Sequence, residues 1–381
     1  MTVDSPFPDA PLPESPVVGI VGSAGAYGRW LRGFFASRMG LQVLGHDPAD
    51  PASDAPEALL AAADVLVFAA PIRTTAAVVA DWTARSAGRE RGRLWLDVTS
   101  LKQAPVAAML RAQAEVVGLH PMTAPPKSPT LRGRVVVVCE ARLSRWRPWV
   151  ARLLAALEGQ VVHAEAERHD RIMALVQALV HAGHLAQAGV LLDQAPDGGG
   201  LTDLLPFRSA SFELDAAMIA RILSMNPAIY EDIQFDNPHV VGVLADLAAR
   251  TAQLHALVAR GDDAARAQFR ALLEAQRQAL GAAALEQGNY AFERVGYLLA
   301  DLAGDRFVSV HLPLDRPGSL RALLHVFERH GVNLGSIHSS RTPGGELHFR
   351  IGLMAGCDAD ALAAAAREID ASGLGRVIER G

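Results

Sequence analysis

His120 lies in the run Leu119-His120-Pro121-Met122-Thr123-Ala124-Pro125-Pro126. An imidazole titrates near neutrality, so it can take a hydroxyl proton while a neighbouring carrier accepts a hydride from the same carbon. Pro121 predicts a stiff turn after it. Far upstream, Val17-Val18-Gly19-Ile20-Val21 runs into Gly22-Ser23-Ala24-Gly25-Ala26-Tyr27-Gly28, with a helix predicted from Arg29. Strand, glycine turn and helix N-terminus in that order bring backbone N–H groups and the helix dipole to a pyrophosphate. In the usual register Ser23 replaces the first glycine, Gly25 and Gly28 take the next two places, and Gly22 supplies the missing backbone freedom. These positions, with Ala26 and Tyr27, are candidate dinucleotide contacts. Asp47 ends the next predicted strand, about 20 residues on, where a carboxylate accepts from an adenosine ribose. No arginine follows it, which favours NAD over NADP.

Asp97-Val98-Thr99-Ser100-Leu101-Lys102 also follows a predicted strand, and His120 is read as ending the next one. Ser100 and His120 then share the carboxyl rim of a sheet, where substrate and nicotinamide meet in such folds. The Ser100 hydroxyl is placed to orient the imidazole or bond the substrate. Lys102 reads as solvated surface. His181 and His184 could face one ion, but no further ligand set accompanies them, so no metal is expected.

The elements that must carry these residues fall into three texture classes. From Val17 to about Glu158, short β-branched runs alternate with helical segments, predicting a parallel sheet covered on both faces. Strands are predicted at Val17–Val21, Gln42–Gly45, Val65–Ala69, Leu94–Asp97, Glu115–Leu119 and Arg134–Cys139, and helices at Arg29–Met39, Thr75–Ser86 and Pro105–Gln113. Long Ala/Leu-rich stretches follow: His169–Leu192, Phe212–Met225, Pro238–Val258, Asp262–Leu280 and Tyr290–Leu302, broken at Gly198-Gly199-Gly200 and Asn226-Pro227. Strands return at Phe307–Leu312, Leu334–Arg341, Leu347–Met354 and Arg376–Glu379, with helices at Ser319–Gly331 and Asp358–Ser372. That βαββαβ order predicts a ferredoxin-like unit. The division is a proline-rich flexible tail (1–15), an α/β Rossmann-like domain (16–160), an all-α middle domain (161–304) and an α+β module (305–381).

Composition narrows the classes. The 381 residues are 50% hydrophobic and 20% charged, with formal net charge -5. This is an ordinary globular balance without the basic footprint of nucleic-acid binding. Two cysteines, Cys139 and Cys357, build neither a disulfide framework nor a cysteine-rich zinc site. The N-terminal segment has no signal-peptide pattern and no run approaches about 20 uninterrupted apolar residues. A cytoplasmic protein with no membrane span is expected.

Across about residues 16–302 the chain resembles prephenate dehydrogenases: Val21–Gly28, Ala70-Pro71-Ile72, Asp97–Lys102, His120–Pro125, His169-Asp170 through Gln177-Ala178-Leu179-Val180-His181, and Asn226-Pro227-Ala228-Ile229-Tyr230-Glu231-Asp232-Ile233. The resemblance implies NAD-dependent oxidative decarboxylation of prephenate to 4-hydroxyphenylpyruvate, on the route to tyrosine; the apolar surface of the middle helices, which follow a nucleotide-binding domain, predicts a homodimer joined through them. It implies His120 as the catalytic histidine at the ring C4 hydroxyl and Ser100 as its partner beside the nicotinamide. Arg221, His181 and Gln177 become substrate residues, and Pro71 and Ile72 cofactor contacts. Taken without the resemblance, Arg221 reads as an exposed helix ion pair and His181 as a packed polar group. Thr123-Ala124 and Val180 depart from common family residues, which leaves prephenate, its transaminated form arogenate, or both as substrates. A non-catalytic sensor of NAD and an amino acid is the reading from another class.

Asp315-Arg316-Pro317-Gly318-Ser319-Leu320, then Phe327 and His330-Gly331-Val332-Asn333-Leu334, resembles an ACT domain over about Arg306–Gly381. Ser339-Ser340-Arg341-Thr342-Pro343 is similar to segments of ACT domains that sense aromatic amino acids. The resemblance implies an effector, tyrosine or else phenylalanine, at Asp315, Pro317, Gly318, Ser319, Leu320, Asn333, Leu334, Ser340 and Arg341. Both ends of the first helix are expected near one crevice.

Overall fold

Short runs rich in valine, leucine and isoleucine, apolar at successive positions and not at alternate ones, form strands buried on both faces. In the computed structural model, which describes residues 12–126, 128–195, 200–302, 306–313, 316–341 and 347–380, these are β1 (Val18–Val21), β3 (Val65–Phe68) and β4 (Leu94–Asp97), with β5 (Glu115–Pro121) buried at every position beside them. The proline-rich residues 1–11, Gly198-Gly199, Asp315 and Thr342-Pro343 lie outside the described residues. The chain divides into two compact units, Met1–Gln253 and Leu254–Gly381.

In the first unit a seven-stranded sheet has the order β2-β1-β3-β4-β5-β6-β7, with β2 at Val43–His46, β6 at Val135–Arg142 and β7 at Gln160–His163. β1 to β5 pair in parallel. β6 runs antiparallel to β5, contrary to the all-parallel reading, because among the described residues between them there is no crossover helix and a simple return needs none. β7, absent from the sequence reading, pairs in parallel with β6 as an exposed edge. One sheet face packs on α1 (Ala26–Gly33), its π-helical continuation Phe34–Arg38, and α5 (Arg147–Leu157), through Phe34, Phe35 and Trp149. The other packs on α2 (Pro56–Ala62), α3 (Ile72–Ser86) and α4 (Gln103–Met109), through Leu59, Trp82 and Met109. The chain reverses about β1, so the carboxyl ends of β1 and β3 make a ligand crevice.

The same unit holds α6 (Ala166–Met173), a π-helical turn (Ala174–Leu179), α7 (Val180–Gln194), the short α8 (Leu201–Leu204), α9 (Ala210–Ser224) and α10 (Pro227–Phe235). α6 packs on α4, and α10 on α3 and the π turn. Ala174, Ala178, Ile233 and Val240 form a small core there. The helical run 166–194 is long and apolar enough, by length and composition alone, to cross a membrane. That differs from the sequence expectation, since Gln177, His181 and His184 interrupt the apolar run without breaking the helix. α11 (Val240–Arg260) spans the division between units. The second unit contains α12 (Asp263–Leu280), α13 (Ala282–Leu302) and an antiparallel sheet β11-β8-β10-β9. Its strands β8 (Phe307–Leu312), β9 (Leu334–Arg341), β10 (Leu347–Leu353) and β11 (Arg376–Arg380) alternate with α14 (Ser319–Arg329) and α15 (Ala359–Ala371) in the expected βαββαβ order.

Candidate active site

The glycine turn has the geometry of a phosphate cradle. Gly22 adopts φ 89°, and a Cβ there would lie 2.7 Å from the Ala69 carbonyl oxygen at the end of β3. A Cβ on Gly28 would come within 2.1 Å of the Gly22 carbonyl oxygen, so α1 meets the turn backbone to backbone. α1 starts at Ala26, three residues earlier than predicted, with Gly25 at its N-cap, no side-chain cap and no acid in its first turn. Its first N–H groups and positive dipole end suit an anion. Asp47 follows β2 directly, and its Oδ2 accepts from the Ala24 N–H at 3.0 Å, which sets a carboxylate beside the cradle. Ser23 is buried beneath the turn. Pro71 caps α3 and Ile72 begins it, just after Ala69 and Ala70, whose backbone a Cβ on Gly22 would meet. These features fit a dinucleotide. The Tyr27 phenol is committed elsewhere: it donates to the Thr123 carbonyl at 2.5 Å, tethering the loop after His120 to the fingerprint, and burial raises its pKa above the ordinary phenol value.

His120 does not end a strand. It is the sixth residue of β5, paired opposite Val137 of β6, and is only 3% exposed. Pro121 continues the strand in place of the expected turn. His120 Nδ1 lies 2.9 Å from His169 Nε2, and His169 Nδ1 lies 2.7 Å from Asp170 Oδ1. The Gln177 amide nitrogen approaches His120 Nε2 at 3.5 Å. Burial first, then His169 and Lys102, hold the His120 pKa well below the ordinary histidine value. Ser100 makes no hydrogen bond among the described residues, so it does not orient the imidazole here; both ring nitrogens are faced from the helical segment instead. Lys102 is not on the solvated surface. It is fully buried, ion-paired with Asp97, and donates to the Leu119 carbonyl at 2.9 Å. Gly118 makes room for it, since a Cβ there would meet Lys102 Cδ at 2.9 Å. Burial pushes the Asp97 carboxyl above its usual range against the pull of Lys102.

The substrate candidates divide. Gln177 approaches His120 from within the π-helical turn, a distortion common at functional sites. His181, one turn on, instead packs edge-on against Tyr230 with ring centroids 4.8 Å apart. Its Nδ1 is buried without a partner among the described residues, and burial and His184 lower its pKa. The Gln177 side-chain oxygen is likewise buried and without a partner among the described residues. Arg221 is exposed in the last turn of α9. Among the described residues no hydrogen bond or ion pair ties it to His120, Gln177 or His181. Asn226 caps α10, accepting from the Ala228 N–H at 3.1 Å.

His169 and Asp170 carried no role of their own in the sequence reading. A signal existed: His169, Met173 and Gln177 recur every four residues and so face one way. Asp232, 3% exposed, was missed too; with Glu231 it holds Arg73, joining α10 to α3. Among the described residues no group of three or more metal-ligating side chains occurs.

In the second unit Gly318 takes φ 96° and precedes α14, with Pro317, Gly318 and Leu320 exposed. Asn333 and Leu334 lie past its other end. An 11-residue helix separates the two groups by roughly 16 Å, so one chain does not bring them into one crevice. Ser340 and Arg341 belong to β9 opposite His348 and Leu347 of β10.

The nucleotide-binding domain of prephenate dehydrogenase matches residues 49–163, its dimerization domain residues 165–274, and the ACT domain residues 306–370. A 4-amino-4-deoxyprephenate dehydrogenase of Streptomyces pristinaespiralis is 34% identical over 282 residues, covering 69% of this chain and 90% of the relative. The chain belongs to the prephenate dehydrogenase family. A T-protein of Enterobacter agglomerans is 30% identical over 259 residues, or 66% of this chain, and the chain spans just 64% of that relative's length. The prephenate dehydrogenase of A. aeolicus, solved with hydroxyphenyl propionate and NAD+, shares the fold at TM-score 0.55 and 18% identity, over 70% of this chain and 99% of that one. The family's nucleotide-binding, dimerization and ACT segments thus follow one another in the order read from sequence.

Proposed function

We propose that this chain is an NAD-dependent dehydrogenase that converts prephenate to 4-hydroxyphenylpyruvate by oxidative decarboxylation. The observation that carries the proposal is buried His120, whose Nδ1 is taken by His169 while Nε2 faces the Gln177 amide. Gly22, Ser23, Gly25, Ala26, Gly28, Asp47, Pro71 and Ile72 would hold NAD, with Ser100 at the nicotinamide end, and the Asp47 carboxylate disfavours a 2′-phosphate. NAD, when bound, supplies the hydride acceptor for C4. His120 Nε2 takes the C4 hydroxyl proton as that carbon becomes a ketone. The bond to the ring carboxylate then breaks, carbon dioxide departs, and its electron pair restores aromaticity. The proton held on His120 returns to the phenolate oxygen. Much of the driving force is aromatisation, so the residues chiefly position and stabilise charge. Arg221 is the candidate guanidinium for a substrate carboxylate, and His181 and Gln177 bring the two unpartnered polar atoms to the substrate.

The Streptomyces pristinaespiralis relative favours a second reading, in which C4 carries an amine; the Gln177 carboxamide beside His120 can meet either group. Arogenate, with an amino acid side chain, is the third substrate to weigh. The exposed Leu175, Val176, Val190 and Leu192 on the π turn and α7 support a homodimer through these helices, and the ACT domain supports tyrosine, or phenylalanine, as effector.

The test is NADH absorbance with purified full-length chain and NAD, offering prephenate, arogenate and 4-amino-4-deoxyprephenate separately, with and without tyrosine. Prephenate-dependent NADH that tyrosine suppresses is the expected outcome. Preference for the aminated ring establishes the second reading, and silence with all three leaves a sensor.

A further inference from the structure

His120 can act as a base at the substrate only if its outward nitrogen is bare, yet the Nε2-protonated form of a neutral imidazole is the commoner one in water. We infer that His169, held by Asp170, is a positioning residue that fixes His120 in the opposite tautomer, protonated at Nδ1 and bare at Nε2. This rests on the reading of His120 as the base in C4 oxidation.

The assignment follows from counting protons along the chain of contacts. Asp170 is 1% exposed and spends both oxygens as acceptors: Oδ1 from the Lys102 N–H at 2.8 Å and Oδ2 from the Gln103 N–H at 2.8 Å. A carboxylate so engaged has no proton to give, so His169 Nδ1, 2.7 Å from Oδ1, is the donor. A neutral His169 then has a bare Nε2. His120 Nδ1, 2.9 Å from it, must donate. Its single proton is thereby used, and Nε2 turns a lone pair toward the Gln177 amide, which can only donate from its nitrogen.

The competing state has His169 doubly protonated, which would force His120 to carry its proton on Nε2, where it could not accept from a hydroxyl. His169 is 1% exposed, and the buried Lys102 ammonium already supplies one positive charge to the rim. Asp170 of α6 and Gln177 of the π turn contact the histidine pair, the Lys102 ammonium lies near enough to disfavour a cation on His120, and Asp97 and Thr99 in turn contact Lys102. Asp170 has its charge shared with two backbone N–H groups, and Asp97 is engaged by Lys102 and by Thr99. Asn237 donates to the Asp170 carbonyl at 2.8 Å, so the dyad is fixed at both its backbone and its side chain.

The tautomer can be read without substrate or cofactor. The full chain, labelled with ¹⁵N-histidine, contains 13 histidines; two-bond nitrogen–proton correlation separates pyrrole-type from pyridine-type nitrogens, and His120→Asn and His169→Gln assign the two rings by disappearance. At pH 7.5 both rings are expected to be neutral, with Nδ1 pyrrole-type and Nε2 pyridine-type. A His120 ring protonated at Nε2, or a His169 protonated at both nitrogens, overturns the inference. His169→Gln keeps an oxygen able to accept from His120 Nδ1 and should retain the His120 tautomer and most of kcat. His169→Leu should return His120 to the Nε2–H form and lower kcat by about 10²- to 10⁴-fold with substrate KM and NAD affinity little changed. If the leucine variant does not fold, the wild-type and glutamine spectra still decide. Absence of turnover alongside the expected spectrum rejects the proposed reaction and leaves the tautomer assignment standing.

Discussion

His120 shows how a residue's surroundings select its chemistry. Burial and the neighbouring His169 and Lys102 all disfavour its cation, so the neutral base persists below the ordinary histidine pKa. The acidic limb of kcat/KM is therefore expected below pH 6.5, and a limb above 6.5 would contradict the environment described. The same depression couples to stability. Below pH 6.5 the unfolded chain binds a proton that folded His120 refuses, so this contribution is whole above about 6.5 and is lost as pH falls toward the folded value. His120→Asn removes the proposed base and should cost about 10²- to 10⁴-fold in kcat while titration calorimetry finds unchanged NAD affinity. Little in the sequence pointed to Lys102, because a lysine on a loop is usually solvated; only the pocket opened by Gly118 makes burial beside Asp97 possible. Asp97→Ala leaves that ammonium unpaired in the interior and should destabilise the fold by about 3–5 kcal/mol, measured by denaturant unfolding.

At the scale of elements, most of the strands and helices follow from local pattern, and the two chemically important deviations do not. The strand-turn-helix unit of β1 and α1 is legible because glycine alone tolerates φ 89° at Gly22 and backbone contact at Gly28. Gly28→Ala must separate α1 from the turn. Loss of detectable NAD binding in calorimetry is expected, with a folded circular-dichroism spectrum; full-strength binding would remove the cradle assignment. The π-helical turn at Ala174–Leu179 has no comparable local code. Its Ala174 and Ala178 pack against Ile233 and Val240, and its Gln177 approaches His120 at 3.5 Å. The antiparallel β6 likewise depends on the missing crossover, a feature of connection length and not of strand composition.

For the whole molecule, the apolar residues left exposed on one chain are the main unmet demand. Val190 and Leu192 near the end of α7 are 62% and 67% exposed, and lie within the family's dimerization segment. Light scattering of the purified chain is expected to give a dimer, and Val190→Glu to shift it toward monomer, since a charge buried at such a contact lacks a partner. An unchanged dimer would move the contact off α7. The ACT candidates belong to this scale too: Pro317–Leu320 and Asn333-Leu334 flank opposite ends of α14, so a ligand touching both sets needs more than one copy of the module.

The sequence by itself determined the order of the three segments, the glycine cradle, Asp47 at the end of β2 and His120 as the titratable group on the rim. Each is local, written in spacing, periodicity and the conformational freedom of single residues. Tertiary structure alone decided what His120 is bonded to. Ser100, adjacent in the predicted layout, does not hold it; His169, 49 positions away, does. That contact depends on α6 docking against α4 and on Asp170 satisfying the Lys102 and Gln103 N–H groups. Hydrogen-bond partners between distant segments are selected by how packed elements come together, a property of the folded whole that no local window of residues encodes.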